Sequence, residues 1–267
     1  MEIQLVTGPT IHFEKLGEGQ PLVFLHGVMM SGRFFAEQLA GALPASFEVV
    51  VPDYRGHGKS EKVPNGHTVA GYARDTHELI ESLGLERPIL VGWSMGAMVA
   101  WEFVKAFGTD SLAGMVVVDQ PPSDYAWDDY PFGLMTLAGL AENVEGLQDD
   151  QRSVAEEFAQ LMQHNPDPER TNWIVEEIMR VPASVASTIL TDQTLRDFRD
   201  LLSEISCPTL VAFGGDPKMN DPAAGQFIVD RIPNSELVIF DESSHMPFLE
   251  EPAKFDRVLA DWIARLP

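Results

Sequence analysis

The chain has 267 residues, of which 45% are hydrophobic and 22% are charged, a composition typical of a globular protein and unlike that of a disordered, fibrous or membrane-embedded one. One α/β domain of ~200–250 residues with an insertion accounts for this length. The formal net charge of −23 repels phosphate backbones and anionic lipid, which argues against nucleic acids and membrane surfaces as partners.

The start of the chain and its single cysteine bear on where the protein resides. Glu2 stands where a signal peptide needs a basic residue, and no apolar run approaches the ~18–20 residues of a membrane-spanning helix. Because Cys207 is the only cysteine, neither an intrachain disulfide nor a multi-thiolate metal site can form. We therefore expect a cytoplasmic protein, and no feature of the sequence indicates an oligomeric state.

The predicted strands begin with a hairpin over Glu2–Lys15, whose turn is Thr7–Thr10. The apolar runs that follow are continuous rather than alternating, which is typical of parallel strands buried on both faces of a sheet. These runs are Leu22–Leu25, Val49–Val51, Ile89–Val91, Met115–Val118, Leu210–Phe213 and Leu237–Phe240.

Amphipathic segments between these runs predict helices that cover the sheet. They are Phe34–Leu43, Val69–Leu83, Met95–Phe107 and Phe255–Leu266. Because strands alternate with helices, the sequence predicts an α/β fold with a doubly wound, mostly parallel sheet.

Residues 121–206 interrupt this alternation. They contain the helical patterns Phe132–Leu140, Val154–Met162 and Trp173–Met179 but no convincing strand. We interpret this segment as a helical cap inserted after the sixth strand, and residues 1–120 and 207–267 as the core domain. The alternative is that these helices pack elsewhere and cover no site.

The sharpest chemical motif is the segment Gly92–Gly96, which reads Gly-Trp-Ser-Met-Gly. It follows the predicted strand Ile89–Val91 and opens the predicted helix Met95–Phe107, which is the context of a nucleophile elbow. The two glycines leave room for a tight turn that lifts Ser94 above the sheet. At a helix N-terminus, free N–H groups and the helix dipole favour developing negative charge, so we predict that Ser94 is a nucleophile.

A second backbone feature follows the strand Leu22–Leu25, where residues 26–31 read His-Gly-Val-Met-Met-Ser. We expect the N–H groups of Val28 and Met95 to form an oxyanion hole beside the nucleophile. We interpret His26 as a packed residue that organises this loop rather than as a proton carrier.

The expected base is His245, because it follows the last predicted strand and so reaches the same edge of the sheet as Ser94. The remaining histidines lack such a placement, and we interpret them as structural or solvated. They are His12, His57, His67, His77 and His164.

These motifs occur in the order found in the α/β-hydrolase fold superfamily, which the chain resembles over nearly its whole length, in its serine esterase and cofactor-free haloperoxidase-like branch. The motifs are His26-Gly27, Asp53–Ser60, Gly92–Gly96, His245 with Pro247, and Glu251-Pro252. The same set resembles carboxylesterases, lactonases, cofactor-free haloperoxidase-like enzymes and C–C hydrolases, so it identifies the fold better than the substrate.

The resemblance implies an acid that orients His245, and two residues are candidates. The superfamily usually places this acid after the strand Leu210–Phe213, but Asp216 is one residue out of register there. A subset of the superfamily takes the acid from the end of the preceding strand, where Asp119 stands. We favour Asp119 and keep Asp216 as the alternative.

A nucleotide cofactor and a metal are both unexpected. The segment Asp53–Ser60 contains glycines and Lys59, but it lacks the spacing of a phosphate-binding loop. We interpret it as a structural turn in which Asp53 pairs with Arg55. No His–carboxylate spacing indicates a metal site.

Together these residues predict a serine hydrolase that cleaves a carboxylic ester, or a lactone or thioester-like bond, of a small hydrophobic molecule. Met29, Trp93 and Phe132 are expected to contact that substrate. Two alternatives stay open. One is a cofactor-free oxygenase, haloperoxidase-like enzyme or C–C bond hydrolase that uses the same site, and the other is a non-catalytic receptor for a small ligand.

Overall fold

The computed structural model describes residues 1–6 and 8–267. Of the predicted turn Thr7–Thr10, Thr7 lies outside these described residues. Within them, eight strands form one sheet in the order β1-β2-β4-β3-β5-β6-β7-β8. The strands are β1 (Glu2–Gln4), β2 (Thr10–Leu16), β3 (Gln20–Leu25), β4 (Phe47–Pro52), β5 (Ile89–Trp93), β6 (Gly114–Val118), β7 (Thr209–Gly214) and β8 (Ser235–Phe240).

The pairing of the strands confirms the predicted mostly parallel sheet. β1 pairs with β2, and β2 with β4, in antiparallel register, whereas all pairs from β4 through β3 to β8 are parallel. Every residue of β5, β6 and β7 is buried, as the continuous apolar runs require. Because the strands are parallel, the loops after β3, β5, β6, β7 and β8 leave at one edge.

Two helices have the predicted bounds, and two others differ from them. α2 (Val69–Leu83) and α3 (Met95–Phe107) are as predicted. The segment Phe34–Leu43 is not one helix, because Gly41 is extended and ends the short α1 (Ala36–Ala40). The last helix, α10, spans Pro252–Ile263 and begins three residues before the predicted start because a proline opens it. The remaining elements of the core are the helices α8 (Ala223–Val229) and α9 (Pro247–Glu250) and the 3₁₀ turns Gly32–Phe35 and Leu43–Ala45.

Four helices lie between β6 and β7, and no ladder strand interrupts the described residues 121–206, where only isolated bridges occur. The first of these helices was predicted to begin at Phe132, which is wrong. It begins at Leu137, because the Thr136 side chain caps it by accepting a hydrogen bond from the N–H of Gly139. The last of the four was not predicted. The helices are α4 (Leu137–Asp149), α5 (Gln151–Leu161), α6 (Pro168–Ile178) and α7 (Ala183–Thr194), followed by a 3₁₀ turn at Leu201–Glu204.

The turn that contains Asp53 and Arg55 is structural, but its ion pair differs from the expected one. The carboxylate of Asp53 accepts hydrogen bonds from the N–H groups of Gly32, at 2.7 Å, and Lys59, at 2.8 Å. Arg55 binds instead to Asp75 of α2, with Nε 2.6 Å from Oδ2. The expected Asp53–Arg55 pair is therefore wrong, because a carboxylate on a neighbouring helix offers the guanidinium a two-point contact.

Among the described residues, no helix combines the length and the apolar character needed to cross a membrane.

Candidate active site

Ser94 lies at a strained bend between β5 and α3. Its φ of 55° and ψ of −128° are unusual for a residue with a side chain. A Cβ atom at Gly96 would lie 2.0 Å from the carbonyl oxygen of Leu25, and one at Gly92 would lie 2.4 Å from the carbonyl oxygen of Gly96. Only glycine fits at these two positions, so the sequence of the bend fixes where Ser94 projects.

The structure brings His245 and Asp119 together. His245 lies beyond the end of β8 and Asp119 directly follows β6, and the Nδ1 and Oδ2 atoms of the two side chains are 2.6 Å apart. Each side chain is only 2% exposed. Oδ1 of Asp119 also accepts the N–H of Gly214 at 3.0 Å. The carboxylate is thus placed to hold the Nδ1–H tautomer of His245 and to stabilise its charged form.

The alternative acid, Asp216, is bound elsewhere. Its Oδ2 lies 2.8 Å from Nδ1 of His164 and 3.3 Å from Nζ of Lys218. Although partial burial acts in the opposite direction, hydrogen bonds from His164 and Lys218 hold the pKa of Asp216 below its usual value. The geometry therefore places Asp119, and not Asp216, beside His245.

Asn220 is a site residue that the sequence analysis missed. Its Nδ2 donates to Oδ2 of Asp119 at 2.8 Å and to the main-chain oxygen of Asp119 at 2.8 Å, and it lies 3.3 Å from Nδ1 of His245. The side chain is buried. A lone asparagine in a loop matches no motif, and the available signal was its place after β7, at the edge where the other site loops leave the sheet.

His245 and Ser94 line one cavity. Nε2 of His245 is buried without a hydrogen-bond partner among the described residues. No hydrogen bond between Nε2 and Ser94 Oγ is therefore present. Such contacts are often long before substrate binds. The indole N–H of Trp93 donates to the main-chain oxygen of His245 at 2.8 Å and so helps to hold the His245 backbone in place.

The predicted oxyanion donors are backbone groups beside Ser94. Met95 is the first residue of α3, so its N–H has no partner within the helix. Val28 lines the cavity, and the neighbouring Met29 has a positive φ of 60°. A Cβ atom at Gly27 would come within 3.2 Å of the Ser94 Cβ, so this loop lies directly against Ser94. Neither N–H donates to another described residue.

His26 has the structural role expected of it. Burial lowers its pKa to about 3, despite the hydrogen bond to the main-chain oxygen of Gly27. The neutral ring joins two loops, since Nδ1 lies 2.8 Å from that oxygen and Nε2 accepts the N–H of Tyr54 at 3.2 Å. His26 therefore fixes the backbone of the predicted oxyanion loop.

The cavity in front of Ser94 has a volume of about 370 Å³, enough for a small molecule. Core loops and the helices between β6 and β7 both contribute to its wall. The lining residues are Val28, Met29, Ser94, Gln120, Asp124, Leu134, Met135, Asn143, Leu147, Val154, Glu157, Phe158, Leu161, Leu190, Gln193, Thr194, Lys218, Met219, Asn220 and His245.

Of the three expected substrate contacts, the described lining includes only Met29. Trp93 is fully buried beneath His245, with its ring 5.5 Å from the imidazole. The ring of Phe132 packs against those of Tyr130 and Phe227. For Trp93 and Phe132 the structure therefore corrects the expectation, because both rings fill protein contacts instead of facing the cavity.

Residues 22–258 match the Alpha/beta hydrolase family, which is most of the chain. The chain belongs to this family. It is 28% identical over 272 residues to the non-heme chloroperoxidase CPO-A1 of Kitasatospora aureofaciens, with 96% of each chain covered. It is also 28% identical over 236 residues to the pimeloyl-(acyl-carrier protein) methyl ester esterase of Neisseria meningitidis, with 87% of this chain and 89% of that protein covered.

A solved structure of an α/β hydrolase relative is closely similar. The esterase EaEST from Exiguobacterium antarcticum superimposes with a TM-score of 0.93 at 28% sequence identity, and 98% of both chains are covered. The predicted α/β-hydrolase fold, and the prediction of an enzyme of this family related to ester hydrolases, are confirmed.

Proposed function

We propose that this α/β hydrolase cleaves a carboxylic ester of a small, hydrophobic molecule through an acyl-enzyme on Ser94. The observation that carries the proposal is the buried pair of Asp119 and His245. Nε2 of His245 is unpartnered, and His245 lines the same cavity as Ser94. Esterases are among the relatives of similar length and fold, which supports this chemistry over simple binding.

In the proposed first half-reaction, Ser94 Oγ attacks the ester carbonyl carbon while Nε2 of His245 takes its proton. Asp119 holds Nδ1 and stabilises the imidazolium. The N–H groups of Val28 and Met95 donate to the developing oxyanion, and each such donor typically contributes about 3–4 kcal/mol. The imidazolium then gives its proton to the departing alcohol.

The second half-reaction repeats this proton transfer with water. Nε2 of His245 takes a proton from water as the oxygen attacks the acyl carbonyl, and the imidazolium returns that proton to Ser94 Oγ as the acid leaves. No metal and no organic cofactor takes part in this scheme.

We propose further that residues 121–206 act as a cap over the site, on a core formed by residues 1–120 and 207–267. In support, α4, α5 and α7 supply cavity residues such as Leu147, Phe158 and Leu190, opposite the core residues Ser94 and His245. Apolar side chains from the cap favour a hydrophobic acyl or alcohol group.

The experiment that tests the proposal compares Ser94→Ala with wild type in the hydrolysis of p-nitrophenyl esters and in labelling by a fluorophosphonate. Ser94→Ala should lose both signals, because the covalent intermediate cannot form. The matched control is Ser111→Ala, which changes an exposed serine and should keep both. Full labelling of Ser94→Ala would contradict the proposal.

The non-heme chloroperoxidase relative favours a second candidate, cofactor-free oxygenase, haloperoxidase-like or C–C bond cleaving chemistry. There, His245 and Asp119 do acid–base work and Ser94 is less central. A comparison of Ser94→Ala with His245→Ala distinguishes the two candidates. If Ser94→Ala keeps activity on an aromatic or diketone-like substrate while His245→Ala loses it, the second candidate replaces the first. A protein that binds small ligands but turns over no ester would instead be a receptor.

A further inference from the structure

A carboxyl group in the cavity wall has no part in the proposed mechanism. Asp124, in the loop after β6, lines the cavity together with Ser94 and His245. Two side-chain amides bind it: Nε2 of Gln120 donates to Oδ1 at 2.7 Å, and Nε2 of Gln193 donates to Oδ2 at 2.8 Å. Because the loop and α7 both hold the carboxyl group, its position is fixed.

The loop backbone around Asp124 is fixed as well. The N–H groups of Leu134 and Met135 both donate to the main-chain oxygen of Asp124 at 2.9 Å, which closes the segment between them. The pKa of Asp124 is raised by burial, although the hydrogen bonds from Gln120 and Gln193 oppose the shift. A carboxyl group removed from water at a cavity wall gains from any additional donor that a ligand brings.

The polar groups next to Asp124 are used in hydrogen bonds or are buried. Nε2 of Gln120 also donates to the main-chain oxygen of Pro121 at 2.8 Å, so both of its hydrogens are used. Oε1 of Gln193 and Oγ1 of Thr194 are buried and have no partner among the described residues, although both residues line the cavity. Because each carboxylate oxygen can accept more than one hydrogen bond, Asp124 keeps acceptor capacity for a ligand that donates.

The rest of the cavity does not duplicate this feature. Glu157 is exposed, and Nζ of Lys218 donates to the main-chain oxygens of Gln163 and His164. Asn220 is committed to Asp119. Asp124 is therefore the partly buried carboxyl of the described lining that the site does not already use.

We propose that Asp124 accepts a hydrogen bond from the substrate, so that the ester cleaved at Ser94 carries a donor group, a hydroxyl, amide N–H or ammonium, besides its apolar part. The inference rests on the proposed ester hydrolysis and narrows its substrate class. Discrimination follows because an ester without the donor leaves the partly buried carboxyl group of Asp124 without that additional hydrogen bond.

The test uses ethyl esters of straight-chain acids of several lengths, each in three forms whose chain ends in a methyl, a hydroxyl or an ammonium group of similar size. Hydrolysis is followed by pH-stat titration, and the readout is the ratio of kcat/KM for the donor-ended ester to that for its methyl-ended counterpart. Wild type should favour a donor-ended ester at one or more lengths by about tenfold or more, as expected for a hydrogen bond to a charged group.

The substitutions show whether Asp124 creates this preference. Asp124→Leu should abolish it for both donors, while Asp124→Asn, which keeps an acceptor but no charge, should lower it more for ammonium than for hydroxyl. The matched control Asp128→Asn removes one charge from an exposed position in the same loop and should keep the wild-type ratio.

Two results would overturn the inference. One is a wild-type enzyme that favours the methyl-ended ester at every chain length. This result does not depend on whether any variant folds. The other is an equal loss for all three ester forms in the Asp124 variants, which would show that Asp124 only supports the fold. Ser94→Ala separates this inference from the proposed ester hydrolysis. If Ser94→Ala is inactive and wild type shows no preference for donor-ended esters, this inference alone is refuted.

Discussion

The sheet edge that carries the site is constrained far more tightly than the helical segment 121–206 that faces it. Four non-glycine residues of the described chain have a positive φ, and three of them, Met29, Ser94 and Asp119, lie at this edge. In the facing segment, by contrast, Leu134 and Leu137 are about half exposed. From the backbone strain at one wall and the exposed leucines at the other, we expect the edge to set the chemistry and the segment to set the substrate.

The largest difference in stability between the two regions is expected when one methyl group is added to each. Gly96→Ala would place a Cβ atom 2.0 Å from the carbonyl oxygen of Leu25, so we expect large destabilisation, of roughly 3 kcal/mol or more, and loss of activity. In Gly139→Ala on α4, the atom nearest to the added Cβ is Sδ of the flexible Met135 side chain, at 3.3 Å.

Gly139→Ala should therefore be neutral or stabilise by up to ~1 kcal/mol, because alanine loses less backbone entropy than glycine when it is held in a helix. Thermal unfolding of both variants measures the difference. Equal destabilisation by the two substitutions would show that the site edge is no more constrained than the facing segment.

Asn220→Ala should lower activity without unfolding the protein. It removes the donor that binds Oδ2 of Asp119 at 2.8 Å, so the carboxylate and His245 lose their fixed orientation. We expect kcat to fall by about 10- to 100-fold, which corresponds to one hydrogen bond to a charged group, with little change in KM. Steady-state kinetics measures the split, and a rise in KM at unchanged kcat would instead indicate that Asn220 contacts substrate.

A smaller effect should follow from cutting the contact between the two regions. Glu177 on α6 is buried and accepts the hydroxyl of Ser31, which follows the oxyanion loop, at 2.8 Å. Its ion-pair partners Arg33 and Arg180 are about half exposed, so solvent screens part of each ion pair.

Glu177→Ala should therefore cost about 1–2 kcal/mol of stability, while Glu177→Gln, which keeps an acceptor for Ser31, should cost less than about 1 kcal/mol. Denaturant unfolding compares the two variants. If Glu177→Gln destabilises the protein as much as Glu177→Ala does, the charge of Glu177 rather than its hydrogen bond to Ser31 joins the two regions.

At the site edge, the positions of Ser94 and His245 could be predicted from the sequence, whereas Asn220 could not. The bend at Ser94 needs glycines at fixed spacing, and His245 must follow a strand that ends at the same edge, so local patterns were enough. The choice between Asp119 and Asp216 was not local. Asp216 is held by His164, which belongs to the segment between β6 and β7, and no register count along one loop reveals that contact.

Residues of the cavity wall were harder to predict, because distant packing decides them. Trp93 and Phe132 are large and apolar, and hydrophobicity alone does not distinguish a ring that faces a cavity from one that fills the protein interior. α7 was missed because its sequence of small, β-branched and polar residues has a weak amphipathic pattern. Asp124 depends on an amide from that same helix, so its role was hidden as well.

The most direct test of the catalytic assignment compares Asp119→Asn with Asp216→Asn in one ester assay. The geometry predicts that Asp119→Asn lowers kcat by about 10⁴-fold, because the amide cannot hold the Nδ1–H tautomer of His245, and that Asp216→Asn changes kcat by less than about threefold, as expected for a partly exposed ion pair. The reverse order, with Asp216→Asn the inactive variant, would contradict the account.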